Sequence, residues 1–164
     1  MKTLGFIGTG GMGSGMAANL IKAGYSLVVT DLNRAQAKGL ESQGATFVDS
    51  PKAVAEKCEL VLSMLPHNGA VRAVATGKGG LAEATSGARV WIDFSSIDKE
   101  TIVSASGELA KKGWIVVDAS AGGVEEVAAA GQLALWLSGS KELFDEHQPI
   151  FKAMGKSILH VGEL

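Results

Sequence analysis

Residues 8–13 read Gly8-Thr9-Gly10-Gly11-Met12-Gly13, a run with the spacing G-x-G-x-x-G. The short apolar run at residues 4–7, directly before it, is typical of a buried β-strand. Directly after it, apolar residues recur at helical spacing over residues 12–23, and Gly24 stands where helices commonly end. Strand, glycine turn and helix together predict the first half of a βαβ unit, which makes the motif far more specific than its glycines alone.

Each part of this motif has a task in a phosphate-binding turn. Gly8 makes the tight turn, Gly10 lets a pyrophosphate approach the backbone, and Gly13 lets the helix pack closely on the strand. The helix N-terminus, at Gly11 and Met12, adds unpaired N–H groups and the positive end of the helix dipole. The turn therefore predicts a dinucleotide site, and a purely structural turn is the alternative.

An acidic residue follows the second predicted strand, residues 27–30. Asp31 lies roughly 20 residues after the glycine turn, where a carboxylate can accept hydrogen bonds from both ribose hydroxyls. Because it would repel a 2′-phosphate, NAD is favoured over NADP. Arg34 keeps the choice open, since it could pair with a 2′-phosphate or stack on the adenine. Methyltransferases also place an acid here, so S-adenosylmethionine is the rival ligand.

Short apolar runs alternate with helical patterns along all 164 residues. This alternation predicts an α/β fold of Rossmann type, a doubly wound, mostly parallel sheet with helices on both faces, as one dinucleotide-binding domain over residues 1–164. Further strands are predicted at residues 46–48, 60–65, 90–94, 114–117, 133–137 and 157–161. Further helices are predicted at residues 35–43, from Ser50-Pro51 onward, and at 68–75, 98–112, 125–130 and 141–154.

Composition narrows the partners and the location. The net charge of −2, from 15 Lys and Arg against 17 Asp and Glu, argues against nucleic acid as a partner. Cys58 is the only cysteine, so it has no internal disulfide partner, which favours a reducing compartment. We find no signal peptide and no apolar run long enough to cross a bilayer. We therefore expect a cytoplasmic protein without membrane contact, and we expect no metal site.

The glycine turn continues into Met16-Ala17-x-Asn19-Leu20, and this extended run resembles the β-hydroxyacid dehydrogenase family. That family includes 3-hydroxyisobutyrate dehydrogenase and tartronate semialdehyde reductase. The resemblance covers the whole chain. It implies hydride transfer between a nicotinamide cofactor and a small β-hydroxyacid or its semialdehyde, by an enzyme that is a homo-oligomer.

Two further segments resemble cofactor-contacting parts of that family. Ser63-Met64-Leu65-Pro66 is similar to the family's loop after the fourth strand, and its last three residues are implied to border the cofactor. Asp93-Phe94-Ser95-Ser96 is similar to the D-x-S-T segment near the nicotinamide ribose. Ser96 stands where the family has threonine and keeps the hydroxyl.

A third segment resembles the family's substrate loop. Asp118-Ala119-Ser120-Ala121-Gly122-Gly123, followed by residues 128–131, is similar to D-A-P-V-S-G-G…A-x-x-G. The resemblance implies that Ser120, Gly122, Gly123 and Ser96 bind a small carboxylate, and exposed glycine N–H groups suit an anion. The segment is one residue shorter here and has Ala121 before the glycines, so Ser120 would have to supply the hydroxyl. A turn without a ligand is the alternative.

The resemblance assigns no catalytic residue within these 164 positions. The family's catalytic lysine lies on a helix of a second, all-helical domain, soon after an H-x-G pattern that His160-Val161-Gly162 matches. That lysine is therefore expected beyond Leu164. Lys152 and Lys156 are in a different context and are expected to be solvated. His67 is the one other acid–base candidate.

Two other functions compatible with the cofactor site stay open. An NADPH-dependent imine reductase resembles the same family in its first domain, although Asp31 and the Gly122-Gly123 pair weigh against it. A non-catalytic dinucleotide-binding module is the alternative from another class.

Overall fold

Residues 2–164, which the computed structural model describes, form an eight-stranded sheet in the order β3-β2-β1-β4-β5-β6-β7-β8. The strands are β1 (Thr3–Ile7), β2 (Ser26–Thr30), β3 (Thr46–Phe47), β4 (Leu60–Ser63), β5 (Val90–Asp93), β6 (Ile115–Gly122), β7 (Leu133–Ser138) and β8 (Gly155–Gly162). The helices are α1 (Gly11–Lys22), α2 (Lys38–Glu41), α3 (Pro51–Ala55), α4 (Asn68–Thr76), α5 (Lys99–Ala110), α6 (Glu125–Ala129), α7 (Lys141–Glu146) and α8 (Gln148–Met154). Among these helices none is long and apolar enough to cross a membrane.

Helices cover both faces of the sheet. In β1, Leu4 and Phe6 pack into one core with α1, α6 and α8, whereas Ile7 packs into a second core with α3, α4 and α5. Leu62 and Val61 of β4 divide between the two cores in the same way. Successive side chains of a strand point to opposite faces, so a strand buried on both sides is apolar throughout. The predicted doubly wound α/β fold is confirmed.

The order of the strands reverses at β1. From β1 the chain runs outward through β2 to β3 and then returns to β4 on the other side of β1, with both neighbours parallel to it. At such a reversal the connections leave in opposite directions, and a crevice opens at the carboxyl ends of the two central strands. The glycine turn follows β1 at this crevice.

Helices α1 and α6 meet through their backbones. A Cβ on Gly15 would lie 2.7 Å from the backbone N of Ala129, closer than side chains allow. Asn19 Nδ2 donates to the carbonyl oxygens of Ala128 at 2.8 Å and Ala129 at 3.2 Å, which satisfies acceptors that the end of α6 leaves open. These contacts hold the C-terminal end of α6 against α1.

The sixth strand is longer than predicted. It was expected at residues 114–117, with residues 118–123 as a loop, but β6 continues to Gly122. Past Asp118, where its pairing with β5 ends, β6 pairs antiparallel with β7, from Ala119 opposite Leu137 to Gly122 opposite Ala134. The small residues of this segment have low strand propensity, and the partner strand overrides it.

Two predicted helices are broken. The helix expected at 141–154 is two helices, α7 and α8, and Pro149 stands in the first turn of α8, where its missing N–H costs nothing. The helix expected at 35–43 begins as a 3₁₀ turn, Arg34–Ala37, and continues as α2. The late strands extend the same sheet as predicted, and β7 and β8 run parallel to each other but opposite to β6.

Candidate functional site

A cleft of about 780 Å³ opens where the carboxyl ends of β1, β2 and β4 meet the first turns of α1 and α4. Its volume lies within the roughly 300–1,000 Å³ typical of cofactor pockets. A smaller cavity of about 190 Å³ lies at the opposite edge of the sheet, where β1, β4 and β5 begin. No predicted site residue lines that smaller cavity, so the large cleft is the candidate site.

Nearly all residues predicted to contact the cofactor line this one cleft. Arg34 and Ser96 are not among the lining residues. The predicted residues that do line it are Gly8, Gly10, Gly11, Met12, Gly13, Asp31, Met64, Leu65 and Pro66.

The three glycines of the motif stand in two different environments, which explain the absence of a side chain in different ways. Gly8 has φ +88°, and a Cβ there would overlap the carbonyl oxygen of Met64; a Cβ on Gly13 would overlap the carbonyl oxygen of Gly8. The protein's own packing therefore requires these two. Gly10 is different, because its backbone is extended and, its chain neighbours aside, no atom of residues 2–164 lies within 4 Å of where its Cβ would be. A glycine without an internal reason, at a helix N-terminus, fits the close approach of an external group.

The N-terminus of α1 is open toward an anion. Its N-cap residue, Gly10, has no side chain to accept from the first-turn N–H groups, which lack intrahelical partners by geometry. The helix has 12 residues, and no acidic residue lies in its first turn. The N–H groups and the helix dipole together suit a pyrophosphate. The residues present thus fit a dinucleotide.

Asp31 is held at the rim of the cleft by the turn itself. Its Oδ2 accepts from the backbone N of Thr9 at 2.7 Å and from Thr9 Oγ1 at 3.3 Å, and its Oδ1 accepts from the backbone N of Asn33 at 2.8 Å. A carboxylate oxygen has further lone pairs, so Asp31 can also accept from ribose hydroxyls. Beside it, the side chain of Leu32 is fully exposed and adds apolar surface to the rim.

Arg34 has a different partner from the one predicted. Its Nη2 donates to Glu41 Oε1 at 2.7 Å, its Nη1 donates to Glu41 Oε2, and its guanidinium lies 4.0 Å from the centre of the Phe47 ring. This hydrogen-bonded pairing lowers the pKa of the Glu41 carboxyl. A contact between Arg34 and a nucleotide stays a prediction.

Glu125 lines the cleft and escaped the sequence analysis. It is the first residue of α6, and its carboxylate lies so close to Gly11 that a Cβ on Gly11 would overlap it. The only signal in the sequence is its position two residues after the Gly122-Gly123 pair. Beside the N-terminus of α1 this carboxylate repels a phosphate, so the Glu125 side chain would have to turn away from Gly11 for a dinucleotide to bind there.

A buried hydrogen-bond network lies behind the segment after β4. Asp93, fully buried at the end of β5, accepts at Oδ1 from Ser63 Oγ at 2.5 Å and from Ser95 Oγ at 2.7 Å. Its Oδ2 is buried without a hydrogen-bond partner among the described residues. Burial raises the pKa of Asp93 to about 6, and the two serine hydrogen bonds only partly offset this effect.

The four residues predicted to bind the substrate lie outside the cleft. Ser96 is exposed in the segment after β5, and Ser120 and Gly122 lie on β6, opposite Trp136 and Ala134 of β7. The expectation of a free loop is therefore wrong for residues 120–122, because a β-ladder occupies one edge of this segment. A Cβ on Gly122 would also lie 2.7 Å from the ring of Trp136, so packing by itself requires this glycine.

The described part of β6 still has one open edge there. Beyond Asp118 its other edge has no strand neighbour, since pairing with β5 ends at Asp93. That edge faces the end of β5, where the chain continues into Ser96. Gly123 follows directly, with φ +147°, and is exposed. Ser120 and Gly122 thus lie on β6 rather than on a loop. Gly123 follows that strand directly, and Ser96 lies in the segment after β5.

The histidines divide between the cleft and the far side of the fold. His67 lines the cleft and caps α4, with Nδ1 accepting from the backbone N of Ala70 at 3.0 Å. His147 Nδ1 bonds the carbonyl oxygen of Leu143, and His160 Nε2 bonds that of Gly139; neither lines the cleft.

Comparison with known proteins agrees with this geometry. The family model for the NAD-binding domain of 6-phosphogluconate dehydrogenase matches residues 3–162. The 3-hydroxyisobutyrate dehydrogenase of Pseudomonas aeruginosa is 37% identical over 163 residues, which cover 99% of this chain and 55% of that protein. The chain spans about half the length of the curated relatives it matches.

Solved structures show the same fold. Mycobacterium tuberculosis 3-hydroxyisobutyrate dehydrogenase with L-serine has a TM-score of 0.91 at 29% identity, and the match covers 99% of this chain and 55% of that one. An imine reductase of Streptomyces aurantiacus has a TM-score of 0.87 at 24% identity, over 99% of this chain and 56% of its own. The second likeness shows the fold alone.

The open position at Gly10 gives the first prediction. Gly10→Val should weaken dinucleotide binding by at least about tenfold, because the side chain would occupy the space over the helix N-terminus, while the fold survives. Gly107→Val is the matched control: Gly107 also has no atom within 4 Å of its Cβ position, but lies on α5 away from the cleft. Calorimetric titration with NAD and thermal melting check both variants. Wild-type affinity in Gly10→Val would refute the phosphate-turn assignment.

The burial of Asp93 gives the second prediction. Its pKa of about 6, against an ordinary 3.8, means that the folded state holds this proton more tightly than the unfolded state. Stability from protonated Asp93 is therefore present below about pH 4 and lost as the pH rises to about 6, a loss of about 3 kcal/mol at most. Urea unfolding of wild type and Asp93→Asn from pH 4 to 7.5 measures it. The wild type should lose stability relative to the variant over this range, and a constant difference would contradict the prediction.

Proposed function

We propose that this chain, which belongs to the NAD-binding domain family of 6-phosphogluconate dehydrogenase, binds NAD in the large cleft and presents it for hydride transfer to or from a small β-hydroxyacid or its semialdehyde. The observation that carries the proposal is the open space over Gly10 at the N-terminus of α1. The nicotinamide supplies the hydride chemistry, and the domain binds and orients it.

Different residues of the cleft contact different parts of the dinucleotide. The first-turn N–H groups of α1, at Gly11, Met12 and Gly13, receive the pyrophosphate, with Gly10 leaving room for it. Asp31 accepts from the hydroxyls of the adenosine ribose, and the exposed Leu32 offers apolar surface to the adenine. The segment at residues 64–66 forms the wall on the β4 side. Gly8 shapes the turn.

Charge at the rim favours NAD over NADP. Asp31 and Asp49 both line the cleft near the end of β2, and Arg34 is paired with Glu41 instead of facing the nucleotide. A 2′-phosphate would meet these carboxylates without a guanidinium to offset them. Lys78 also lines the cleft and keeps NADP as the alternative cofactor.

The complete reaction requires more than this domain. We assign the catalytic lysine to a second, all-helical domain, which agrees with relatives about twice as long as this chain. Ser96, Ser120, Gly122 and Gly123 contact the small carboxylate substrate at the open edge of β6 once that domain closes over it. The complete protein is a homo-oligomer in the cytoplasm, and neither nucleic acid nor a membrane is a partner.

Cofactor preference is the direct test. NAD should bind at least about tenfold more tightly than NADP by calorimetric titration, because Asp31 repels the 2′-phosphate. Asp31→Asn should narrow this ratio, whereas Asp145→Asn, an exposed change on α7 away from the cleft, should leave it unchanged. Tighter binding of NADP by the wild type would overturn the assignment and favour the imine reductase alternative.

Turnover separates the domain from the complete enzyme. The 164-residue chain should bind NAD but form no NADH from β-hydroxyacids above background, because general acid–base catalysis, typically worth about 10²–10⁴-fold, comes from the second domain. A longer version that carries that domain should be active. Robust turnover by the 164-residue chain would contradict this division and make His67→Ala the first variant to assay.

A further inference from the structure

Asp93 does more than fill a buried position: it sets the direction of two hydrogen bonds. A carboxylate only accepts, so the hydroxyl protons of Ser63 and Ser95 are both committed to its Oδ1. Each serine oxygen is then left as an acceptor for a further group. Ser63 Oγ accepts from the indole Nε1 of Trp91 at 2.8 Å, and Ser95 Oγ accepts from the backbone N of Leu65 at 2.8 Å. One carboxylate oxygen thereby orients two branches of the network. We call them the Ser63 arm, which ends on Trp91, and the Ser95 arm, which ends on Leu65.

The Ser95 arm reaches the wall of the cofactor cleft. Leu65 lies in the middle of the lining segment 64–66, and Pro66 after it has no N–H to donate. The segment is fixed by the Met64 N–H, which donates to the carbonyl oxygen of Ile7 at 3.0 Å, and by the Leu65 N–H, which donates to Ser95. The Ser63 arm ends on Trp91, which is buried in the same core as Leu65 but does not line the cleft.

The wall in turn packs on the glycine turn. The carbonyl oxygen of Met64 and Cδ2 of Leu65 are the atoms nearest to where a Cβ on Gly8 would be. A shift of residues 64–66 would therefore move the turn against which the pyrophosphate packs. Leu65 is nearly buried, and Ser95 and Asp93 are buried behind it, so water cannot readily replace the lost bond.

We propose that Asp93 and Ser95 are positioning residues of the dinucleotide site: Asp93 orients the Ser95 hydroxyl, and Ser95 holds the Leu65 amide so that residues 64–66 stay packed on the Gly8 turn. The ligand in this inference rests on the proposed function. The network itself does not, because the Leu65 amide can be observed without any cofactor.

Two serine variants form a matched pair. Ser95→Ala and Ser63→Ala each remove one buried hydroxyl from Asp93 Oδ1, but only the Ser95 hydroxyl is hydrogen-bonded to the wall formed by residues 64–66. Both should lower the melting temperature. Calorimetric titration should show NAD binding weakened by at least about fivefold in Ser95→Ala and by less than about twofold in Ser63→Ala. Equal losses of affinity in the two variants, or an unchanged affinity in Ser95→Ala, would overturn the proposal.

The Asp93 variants and the Leu65 amide complete the test. Asp93→Asn keeps an acceptor oxygen and should bind NAD like wild type, whereas Asp93→Ala should behave like Ser95→Ala.

Amide hydrogen exchange without cofactor should show Leu65 deprotected in Ser95→Ala and protected in Ser63→Ala. Should Ser95→Ala not fold, Ser95→Cys, with a weak sulfur acceptor, carries the same comparison. A wild type that binds no NAD would refute the proposed function, and an unchanged Leu65 amide would refute the network.

Discussion

The contact between the backbone of Gly13 and that of Gly8 is the constraint on which the rest of the site depends. Because neither residue has a side chain, α1 begins directly against the end of β1, and its N-terminus points into the crevice where the strand order reverses. Close packing then continues along the helix through Gly15 and Asn19, which bring α6 against α1. One short-range contact thereby places both the glycine turn and the carboxylate of Glu125.

The parts of the structure that local sequence determines could be predicted from it. A strand, a glycine turn and a helix in immediate succession specify a βαβ unit without long-range information, and Asp31 follows from the length of that unit. Since parallel strands end at one edge of a sheet, the segment after β4 had to lie beside the turn. The fold and the lining of the cleft by residues such as Gly10, Asp31 and Leu65 were therefore within reach.

The features that could not be predicted from the sequence depend on contacts between residues distant along the chain. The extension of β6 is imposed by β7, since Ala119-Ser120-Ala121-Gly122 has little strand propensity of its own. Glu125 reaches Gly11 only because α6 packs on α1. The pairing of Arg34 with Glu41 competes with a nucleotide contact that its position in sequence suggested equally well. In each of these cases the local sequence is compatible with more than one structure, and tertiary packing determines which one forms.

Asp93 shows how stability and site geometry are set against each other. A buried carboxyl with one unpartnered oxygen and a pKa raised to about 6 destabilises the fold at neutral pH, and an apolar residue of similar volume would avoid that loss. An apolar residue, however, would leave the hydroxyls of Ser63 and Ser95 free to rotate, and the Leu65 amide would lose a defined acceptor. The carboxylate lies at the edge of the sheet where the cleft opens. There it fixes the backbone of the cleft wall at the cost of one buried oxygen without a hydrogen bond among the described residues.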